Sequence, residues 1–498
     1  MDSQLLQQPA VWIATAAATA ASVVGYKIIK FTKADAYEGV DERIPTPAPL
    51  SNYLGAIPYL PAEFPSSVFH RWSAMLPIYK IHFFKLPMVG ISDHQLAKDI
   101  INSGSFDEKH KAYDLISRFV GSKSILITYG EEWKKTHKLV AQTFNVANIE
   151  KNFLPTMVRT AEIHAERLAE KYASNRPSVG SMTSFDIDKC TVAVALDIIA
   201  KTVFGVDNTE AENIQTILHC MEQGAFETQR RFYSPFRLYN PWLLWKHNRN
   251  ISTLRSEIRK IVGERKDQLD EIQDTRDFIA SMLKARDDET GHLLDEETII
   301  DQCITFFFAG HDTSAHTLAW AFYLISRHPE VEAKLLREID ALGDVELTAL
   351  RLNGLKYLNL IIKETLRMYP PGPAISRNTN RKGKIGQYDI NKDVGCSVHV
   401  LAMHYNEQYF PNPTRFDPER FNEENVKNIP PFQYIPFAKG ERSCIGQKFA
   451  LLEMKAVLVA FYRKFTFTPD PWASLKIDAM ITLQPTAVRL IAKERILK

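Results

Sequence analysis

The residues best suited to chemistry lie between Phe437 and Gly446, where one cysteine stands directly before a helical pattern. Cys444 is at the mouth of that helix, where backbone N–H groups and the helix dipole stabilise a thiolate. Gly440 allows a tight turn before it, and Gly446 removes a side chain where a flat cofactor could press against the helix. Arg442 is placed to meet a carboxylate of such a cofactor. The segment predicts a thiolate beside a flat, carboxylate-bearing cofactor.

A carboxylate and a hydroxyl stand side by side at Asp312 and Thr313, inside the long apolar run DQCITFFFAGHDTSAHTLAWAFYLIS. Burying both groups is costly unless they find partners. Two interpretations are open: the Thr313 hydroxyl bonds the carbonyl one turn earlier, or the pair is used in a reaction. His311 points elsewhere on a helix that turns 100° per residue, and it is interpreted as a satisfied polar residue.

A third segment, LNLIIKETLRMYPP, places Glu364 and Arg367 three residues apart on one helix face. A pair like this on a surface contributes only tenths of a kcal/mol. A second arginine, Arg420, lies in the segment FDPERF between this helix and the cysteine loop.

Taken together, these segments resemble the cytochrome P450 superfamily. The pattern Phe-x-x-Gly-x-Arg-x-Cys-x-Gly ending at Gly446 is similar to the haem-binding loop of that family, and the other segments follow in the family's order. The resemblance spans roughly residues 40–495. It implies a haem-thiolate monooxygenase with haem b, whose iron is held by Cys444, and such ligation favours O–O cleavage.

The resemblance also implies roles for individual residues. Thr313 and Asp312 would relay protons to O2, and Glu364, Arg367 and Arg420 would brace the haem loop. The residues implied to contact haem are Cys444, Arg442, Phe437, Gly446, Arg377, Trp133 and His137. At residue 137 the family usually has arginine, and the charge of a histidine near neutral pH is not assured.

The expected substrate pocket is apolar, which suits a lipophilic molecule. Its candidate residues by position are Phe308, Ala309, Ala374, Ile375, Met480 and Ile481. The aromatic, proline-broken stretch 232–245 has two interpretations, an ordinary packed loop or a membrane-facing lip that admits lipophilic substrates.

The elements that must position these residues are mostly helical. Apolar residues recur at helical spacing in 94–103, 131–144, 156–173, 185–204, 251–270, 293–327, 330–342, 355–369 and 446–464, with short extended pieces near 77–92, 385–401 and 479–493. We therefore expect a mainly α fold with a small β part and one catalytic domain, the cytochrome P450 fold.

The N-terminus has a different character. Residues 1–33 carry an uncharged run from Ser3 to Tyr26 followed by Lys27, Lys30 and Lys33. That length just suffices to span a membrane, and the lysines place the remainder on the cytosolic side. A cleaved signal peptide and a buried helix are the alternatives. Residues 34–65 are predicted to form a proline-rich hinge, and 66–498 the catalytic domain. The predicted location is the endoplasmic reticulum membrane, single-pass.

Composition limits the partners. With 61 Lys+Arg against 59 Asp+Glu, the net charge of +2 excludes a broadly polybasic nucleic-acid binder. The 5 cysteines contain no CxxC, so a disulfide framework and a zinc ribbon are excluded. No P-loop or glycine-rich nucleotide fingerprint follows a strand, so NADPH electrons are expected from a separate NADPH-cytochrome P450 reductase.

Two other functions compete with the monooxygenase. One is an O2-independent haem-thiolate isomerase or dehydratase, and the other is a haem-binding protein without turnover. Neither needs an acid–alcohol pair in its helix, so Asp312 and Thr313 favour the monooxygenase.

Overall fold

The computed structural model describes residues 39–46, 76–83, 86–110, 113–174, 184–206, 211–233, 237, 239–268, 277–286, 291–473, 475–479 and 482–495. The predicted membrane anchor, 1–33, lies outside the described residues, as do Met480 and Ile481. Of the predicted hinge, 39–46 are described, and they pack on the sheet: Ile44 is buried and Val40 forms a β-bridge with Ile390.

The described chain is mainly helical, as the sequence predicts. Its α-helices are α1 (His94–Asn102), α2 (Tyr113–Val120), α3 (Gly130–Thr143), α4 (Val146–Asn148), α5 (Leu154–Ser174), α6 (Ile187–Phe204), α7 (Glu212–Tyr233), α8 (Pro241–Asp267), α9 (Phe278–Lys284), α10 (Glu296–Ser326), α11 (Pro329–Leu342), α12 (Ala349–Gly354), α13 (Lys356–Met368), α14 (Val400–His404) and α15 (Gln447–Lys464). A π-helical turn at Ile149–Phe153 leads into α5, and 3₁₀ turns occur at Gly104–Phe106, Pro418–Phe421 and Asn425–Asn428.

The β part is small and divided among four sheets. Its strands are β1 (Ile78–Phe83), β2 (Leu86–Ile91), β3 (Glu108–Lys109), β4 (Ser184–Asp186), β5 (Ile375–Asn378), β6 (Gly383–Ile385), β7 (Tyr388–Ile390), β8 (Gly395–Val398), β9 (Phe465–Pro469), β10 (Lys476–Ala479), β11 (Leu483–Thr486) and β12 (Arg489–Glu494). The largest sheet has the order β1-β2-β8-β5-β3 and is antiparallel except between β2 and β8. The pairs β6-β7 and β10-β11 and the set β4-β12-β9 make up the others.

Helix α10 is the central element, because it is apolar around most of its surface and packs against α6, α13 and α15. It starts at a well-formed cap: the Asp295 carboxylate accepts from the N–H of Thr298 at 3.0 Å and from its hydroxyl at 2.7 Å. Its second half buries Leu318, Trp320 and Phe322 completely. A helix that is hydrophobic on all sides belongs in a protein interior.

The fold has more helices than the sequence predicts. The periodicity did not indicate α2, α4, α7, α9, α12 or α14, nor the first turns of α8. Residues 241–245 are therefore helical in the structure, whereas the sequence placed them in a proline-broken stretch between helices. Pro241 is the first helical residue, and the Asn240 side chain caps the N–H groups of Trp242 and Leu243, each at 3.1 Å. Proline is favoured at that position because its missing N–H is not needed there. Within the described part of the chain, no helix is long and apolar enough to cross a membrane.

Candidate functional site

The cysteine loop folds as a tight turn that turns Cys444 towards an interior cavity. Ala438 and Gly440 have positive φ values, +58° and +75°, and the N–H of Cys444 donates to the carbonyl of Phe437 over 2.9 Å. Glycine adopts a positive φ without strain, so glycine at residue 440 is suited to this turn. The accessible surface of the Cys444 side chain faces the cavity, which it lines, and the thiol is buried with respect to bulk solvent.

The cavity has a volume of about 360 Å³ and lies between the cysteine loop and α10. Most residues predicted for the site are in its wall: Trp133, His137, Ala309, Thr313, Ala374, Ile375, Phe437, Arg442, Cys444 and Gly446. Phe308, Asp312 and Arg377 are not in its wall, and Met480 and Ile481 are not described. The remaining lining is largely aromatic and aliphatic, with Phe144, Phe153, Phe278, Phe306 and Phe449 among it.

The Cys444 thiol is suited to bind a metal. Burial raises its pKa, and the N–H of Gly446 lowers it. A thiol in these surroundings gives up its proton when a metal cation takes its place. A Cβ at residue 446 would be 3.9 Å from Cys444 Sγ, so glycine keeps the space beside the sulfur open. These features fit the iron of a flat macrocycle such as haem.

An excess of positive charge lies next to the cavity. Lys109 and Arg377 stand opposite each other in the β3–β5 pair, and Arg442 contacts Asp107 at 3.3 Å. Burial, together with Arg377 and Arg442, holds the pKa of Lys109 well below its usual range, and burial lowers the pKa of Arg442 to about 10. Buried cations need anionic partners, and the two carboxylates of haem would provide them.

Lys109 is a candidate haem contact that the sequence reasoning missed. Lys109 is in the cavity wall and, in the described residues, has no carboxylate within ion-pair distance. In the sequence, a lysine two residues after Asp107 does not by itself indicate a haem contact. Only the pairing with β5, far away in sequence, shows where the ammonium group lies.

Trp133 and His137 lie together at the cavity edge, with ring centroids 4.6 Å apart. The Arg442 guanidinium lies over the Trp133 ring at 3.9 Å and donates to the Thr128 carbonyl at 2.9 Å. Burial and the neighbouring Arg442 lower the pKa of His137. The imidazole is therefore neutral near pH 7 and would meet a carboxylate only as an N–H donor.

The α10 wall of the cavity consists of small residues, Ala309, Gly310 and Thr313. A Cβ at Gly310 would be 2.8 Å from Ile199 Cδ1, so glycine lets α6 pack closely here. The Thr313 hydroxyl donates to the Ala309 carbonyl at 2.8 Å, which is the bond to the carbonyl one turn earlier that the first of the two sequence interpretations describes. His311 is satisfied locally, with Nδ1 at 2.9 Å from the Phe307 carbonyl.

Asp312 occupies a polar network next to the cavity wall. Its carboxylate accepts from the Thr482 hydroxyl at 2.6 Å, contacts His316 Nε2 at 3.3 Å and accepts from the Gln484 amide at 3.4 Å. Burial alone would raise the Asp312 pKa, but the hydrogen bond and charge of His316 outweigh it and lower the pKa. Asp312 is therefore an ionised carboxylate at neutral pH.

The side chains of Phe308 and Arg377, which were predicted for the site, do not line the cavity. Phe308 is next to Ala309, and successive residues of a helix point about 100° apart. Its ring instead packs edge-on against Phe119, with centroids 5.6 Å apart. Arg377 is buried and donates to the Ser376 carbonyl at 3.1 Å.

The predicted bracing residues form a buried ion network. The Glu364 carboxylate receives Arg367 Nε at 2.7 Å and Arg367 Nη2 at 2.9 Å, and Arg420 Nε at 3.2 Å. Arg367 also donates to the carbonyls of His404 and Pro413, at 2.9 and 2.7 Å. The network ties α13 to the segment that precedes the cysteine loop.

Comparisons with known proteins agree with this geometry. The Cytochrome P450 family matches residues 44–491. Cytochrome P450 4V2 of Homo sapiens is 30% identical over 439 residues, which cover 82% of this chain and 81% of that protein. Cytochrome P450 4d8 of Drosophila melanogaster is 30% identical over 423 residues, covering 79% and 88%. The crystal structure of the cytochrome P450 CYP102L1 is 25% identical and superposes with a TM-score of 0.80 over 91% of this chain and 99% of that one.

Proposed function

Because the chain belongs to the cytochrome P450 family and is an oxidoreductase of the monooxygenase class, we propose that it inserts oxygen into a lipophilic small molecule. The reaction is a hydroxylation or an epoxidation that uses O2 and electrons from a separate NADPH-cytochrome P450 reductase. The substrate belongs to the lipids, terpenoids, sterols or secondary metabolites. One observation carries the proposal: the Cys444 thiol faces an apolar cavity whose far wall is the Ala309–Thr313 segment of α10.

The residues present fit haem b as the cofactor. Cys444 would bind its iron, and Arg442 and Lys109 in the cavity wall would pair with its two carboxylates. Arg377, opposite Lys109 in the β3–β5 pair, would add positive charge beside them. When bound, haem supplies O2 binding and oxidising power that amino-acid side chains lack. Gly446 and Phe437, on either side of Cys444, would lie against the macrocycle.

The cavity favours an apolar substrate because its threonines are already satisfied. Each hydroxyl donates to the carbonyl four residues earlier, at 2.6–2.8 Å, for Thr202, Thr305, Thr313 and Thr317. A substrate hydrogen-bond acceptor would have to break one of these bonds, because each hydroxyl has a single donor and that donor is in use. Orientation must therefore come from shape and from the aliphatic and aromatic lining.

Proton supply is assigned to Thr313 and Asp312. Thr313 is in the cavity wall beside Ala309, where O2 would lie, and its hydroxyl can exchange its carbonyl partner for a cavity molecule. Asp312 precedes Thr313 on the same helix, and its carboxylate is held in position by the hydrogen bond from the Thr482 hydroxyl. Together they would hold and pass the protons that O–O cleavage needs.

Membrane attachment is part of the proposal. Residues 1–33 would anchor the protein in the endoplasmic reticulum membrane with the catalytic domain in the cytosol. Three exposed aromatic rings on α7 and α8 support this orientation: Phe226, Trp242 and Trp245 are 46%, 62% and 56% exposed. Each has a cation over its ring, Arg230, Lys246 and Arg249 respectively. Aromatic rings beside basic groups suit a membrane interface.

The test is the ratio of oxygenated product to NADPH consumed, in the wild type and in Thr313→Ala, with the reductase and candidate substrates present. We expect Thr313→Ala to keep haem content and substrate binding, but to release more peroxide and less product. Thr365→Ala is the matched control, since the Thr365 hydroxyl also donates to the carbonyl four residues earlier, at 2.9 Å, away from the cavity.

Three outcomes would contradict the proposal. Product formed without reductase or O2 would indicate an isomerase or dehydratase. Haem binding without any turnover of the lipophilic substrates that shift the Soret band would indicate a non-catalytic haem protein. An unchanged product ratio in Thr313→Ala would remove the role of this residue.

A further inference from the structure

One histidine lies between two carboxylates beside the site. His316 follows Asp312 by one helical turn, and its Nδ1 is 2.9 Å from Asp188 Oδ1 while its Nε2 is 3.3 Å from Asp312 Oδ1. Asp188 is in the first turn of α6. The His316 side chain is only 7% exposed, whereas that of Asp188 is 19% exposed. The chain of groups therefore begins near solvent and ends at the residue before Thr313.

The surroundings of His316 contain few other charges. On α10 the nearest titratable groups are Asp312 and His311, and α6 contributes Asp188. Among the side chains of the β10–β11 hairpin that the structure describes, the neutral Thr482 and Gln484 face this site and hold Asp312. His311 has a lowered pKa, chiefly from burial, so it adds no positive charge near pH 7.

The charge states follow from these contacts. Burial opposes protonation of His316, but its hydrogen bonds to Asp188 and Asp312 outweigh burial and raise the pKa to about 9. Asp312, with its lowered pKa, has no proton of its own to donate. Asp312, to which proton delivery is assigned, is thus a deprotonated carboxylate, and the nearest group that carries a proton for it is His316.

We propose that His316 is the positioning residue that holds the proton for Asp312, with Asp188 as the connection to solvent. The inference rests on the proposed function, because it supplies the proton that Asp312 and Thr313 would pass on. In the step, the proton on His316 Nε2 moves to Asp312 Oδ1, which turns an imidazolium and a carboxylate into a neutral imidazole and a carboxylic acid. After Asp312 releases that proton to the cavity side, the neutral imidazole still carries its Nδ1–H towards Asp188. A ring flip then exchanges the two nitrogens, the bare nitrogen takes up one proton from solvent on the Asp188 side, and the starting charges return.

The first measurement concerns the proton and does not need turnover. Histidine labelled with ¹⁵N is observed by NMR in the reduced holoprotein with carbon monoxide bound. The resonance that disappears in His316→Gln is assigned to His316. We expect it to stay protonated at pH 7.5 and to titrate near pH 9, and to titrate at lower pH in Asp188→Asn. A neutral His316 at pH 7.5 overturns the inference, whatever the substrate proves to be.

The second measurement is the ratio of product to NADPH between pH 6.5 and 9.5. We expect the wild-type ratio to fall as the pH passes 9. The ratio of His316→Gln should be at least about 5-fold lower with no such fall, since a proton-transfer group typically contributes on the order of 10²–10⁴-fold and water replaces part of that contribution. His328→Gln is the matched control. His328 stands just after the same helix, with its Nδ1 2.7 Å from the Leu324 carbonyl and its ring against Phe416, and among the described residues it forms no ion pair with a carboxylate. It should keep the wild-type ratio.

Two further measurements distinguish a folding defect in the variants from the loss of a proton, and failure of this inference from failure of the proposed function. Haem content and the substrate-induced Soret shift show whether His316→Gln is folded, and Asp188→Asn, which keeps the imidazole, should move the fall in the ratio to lower pH. A wild-type ratio and pH profile in both variants overturns the inference while leaving the monooxygenase intact. Failure of the proposed function itself would show as absence of product in the wild type.

Discussion

Replacing Glu364 with glutamine should destabilise the protein far more than its small chemical change implies. Glu364 and Arg367 are fully buried, and Arg420 is 11% exposed. Gln has nearly the shape of Glu, so the substitution makes no cavity. It removes the negative charge between two guanidinium groups, and that of Arg367 cannot regain water because it is fully buried.

The magnitude follows from the burial of the partners. Removing one member of a buried ion network leaves uncompensated charge and costs about 3–5 kcal/mol. Each kcal/mol shifts the melting temperature by about 1 °C in a chain of this size, so the expected loss is about 3–5 °C. The same segment leads into the cysteine loop, so haem retention should fall as well.

The assay is thermal unfolding followed by circular dichroism and by the Soret band, for the wild type, Glu364→Gln and a matched surface control. Glu419→Gln removes an equivalent charge from the Lys334–Glu419 pair, which spans 2.8 Å with side chains 44% and 41% exposed. An exposed pair contributes at most about 1 kcal/mol. If Glu364→Gln melted no earlier than Glu419→Gln, the bracing role would be refuted.

Two further predictions concern His316 and Lys109. Folding raises the pKa of His316 from 6.5 to about 9, so the stabilisation from its protonation is complete below pH 6.5 and is lost as the pH rises through 9. The free energy of unfolding, measured by urea titration, should therefore fall by about 3 kcal/mol over that pH range. His316→Gln should lack this pH-dependent component. Lys109→Met removes a cation expected to bind a haem carboxylate, a bond that contributes about 1.5–3 kcal/mol. Transfer of haem to apomyoglobin should therefore be about 10–100-fold faster, and a wild-type rate would contradict that contact.

The parts of the site that the sequence predicts are those set by local spacing. The turn before Cys444, the apolar character of α10, and the Glu364–Arg367 pair each depend on residues within a few positions of one another. The helical periodicity likewise predicts most helices, because an amphipathic or apolar face is a property of one segment. The position of Cys444 in the cavity wall follows from these local features.

The parts that the sequence does not predict depend on distant pairings. Lys109 reaches the cavity because β3 pairs with β5, and His316 acquires its second carboxylate because α6 packs on α10. Asp312 is held by Thr482 from the β10–β11 region, which no motif around Asp312 indicates. The spacing of Asp312 and His316 on one helix face was the only available signal, and a single such pair is common in helices.

The central claim is that Cys444 supplies the thiolate that binds haem iron, and one spectrum tests it directly. The reduced protein should show the red-shifted Soret band of thiolate ligation when carbon monoxide is added. Cys444→Ser should lose that band, while Cys396→Ser, a change at a cysteine buried in the sheet, should keep it. Retention of the red-shifted band with full haem content in Cys444→Ser would contradict the account.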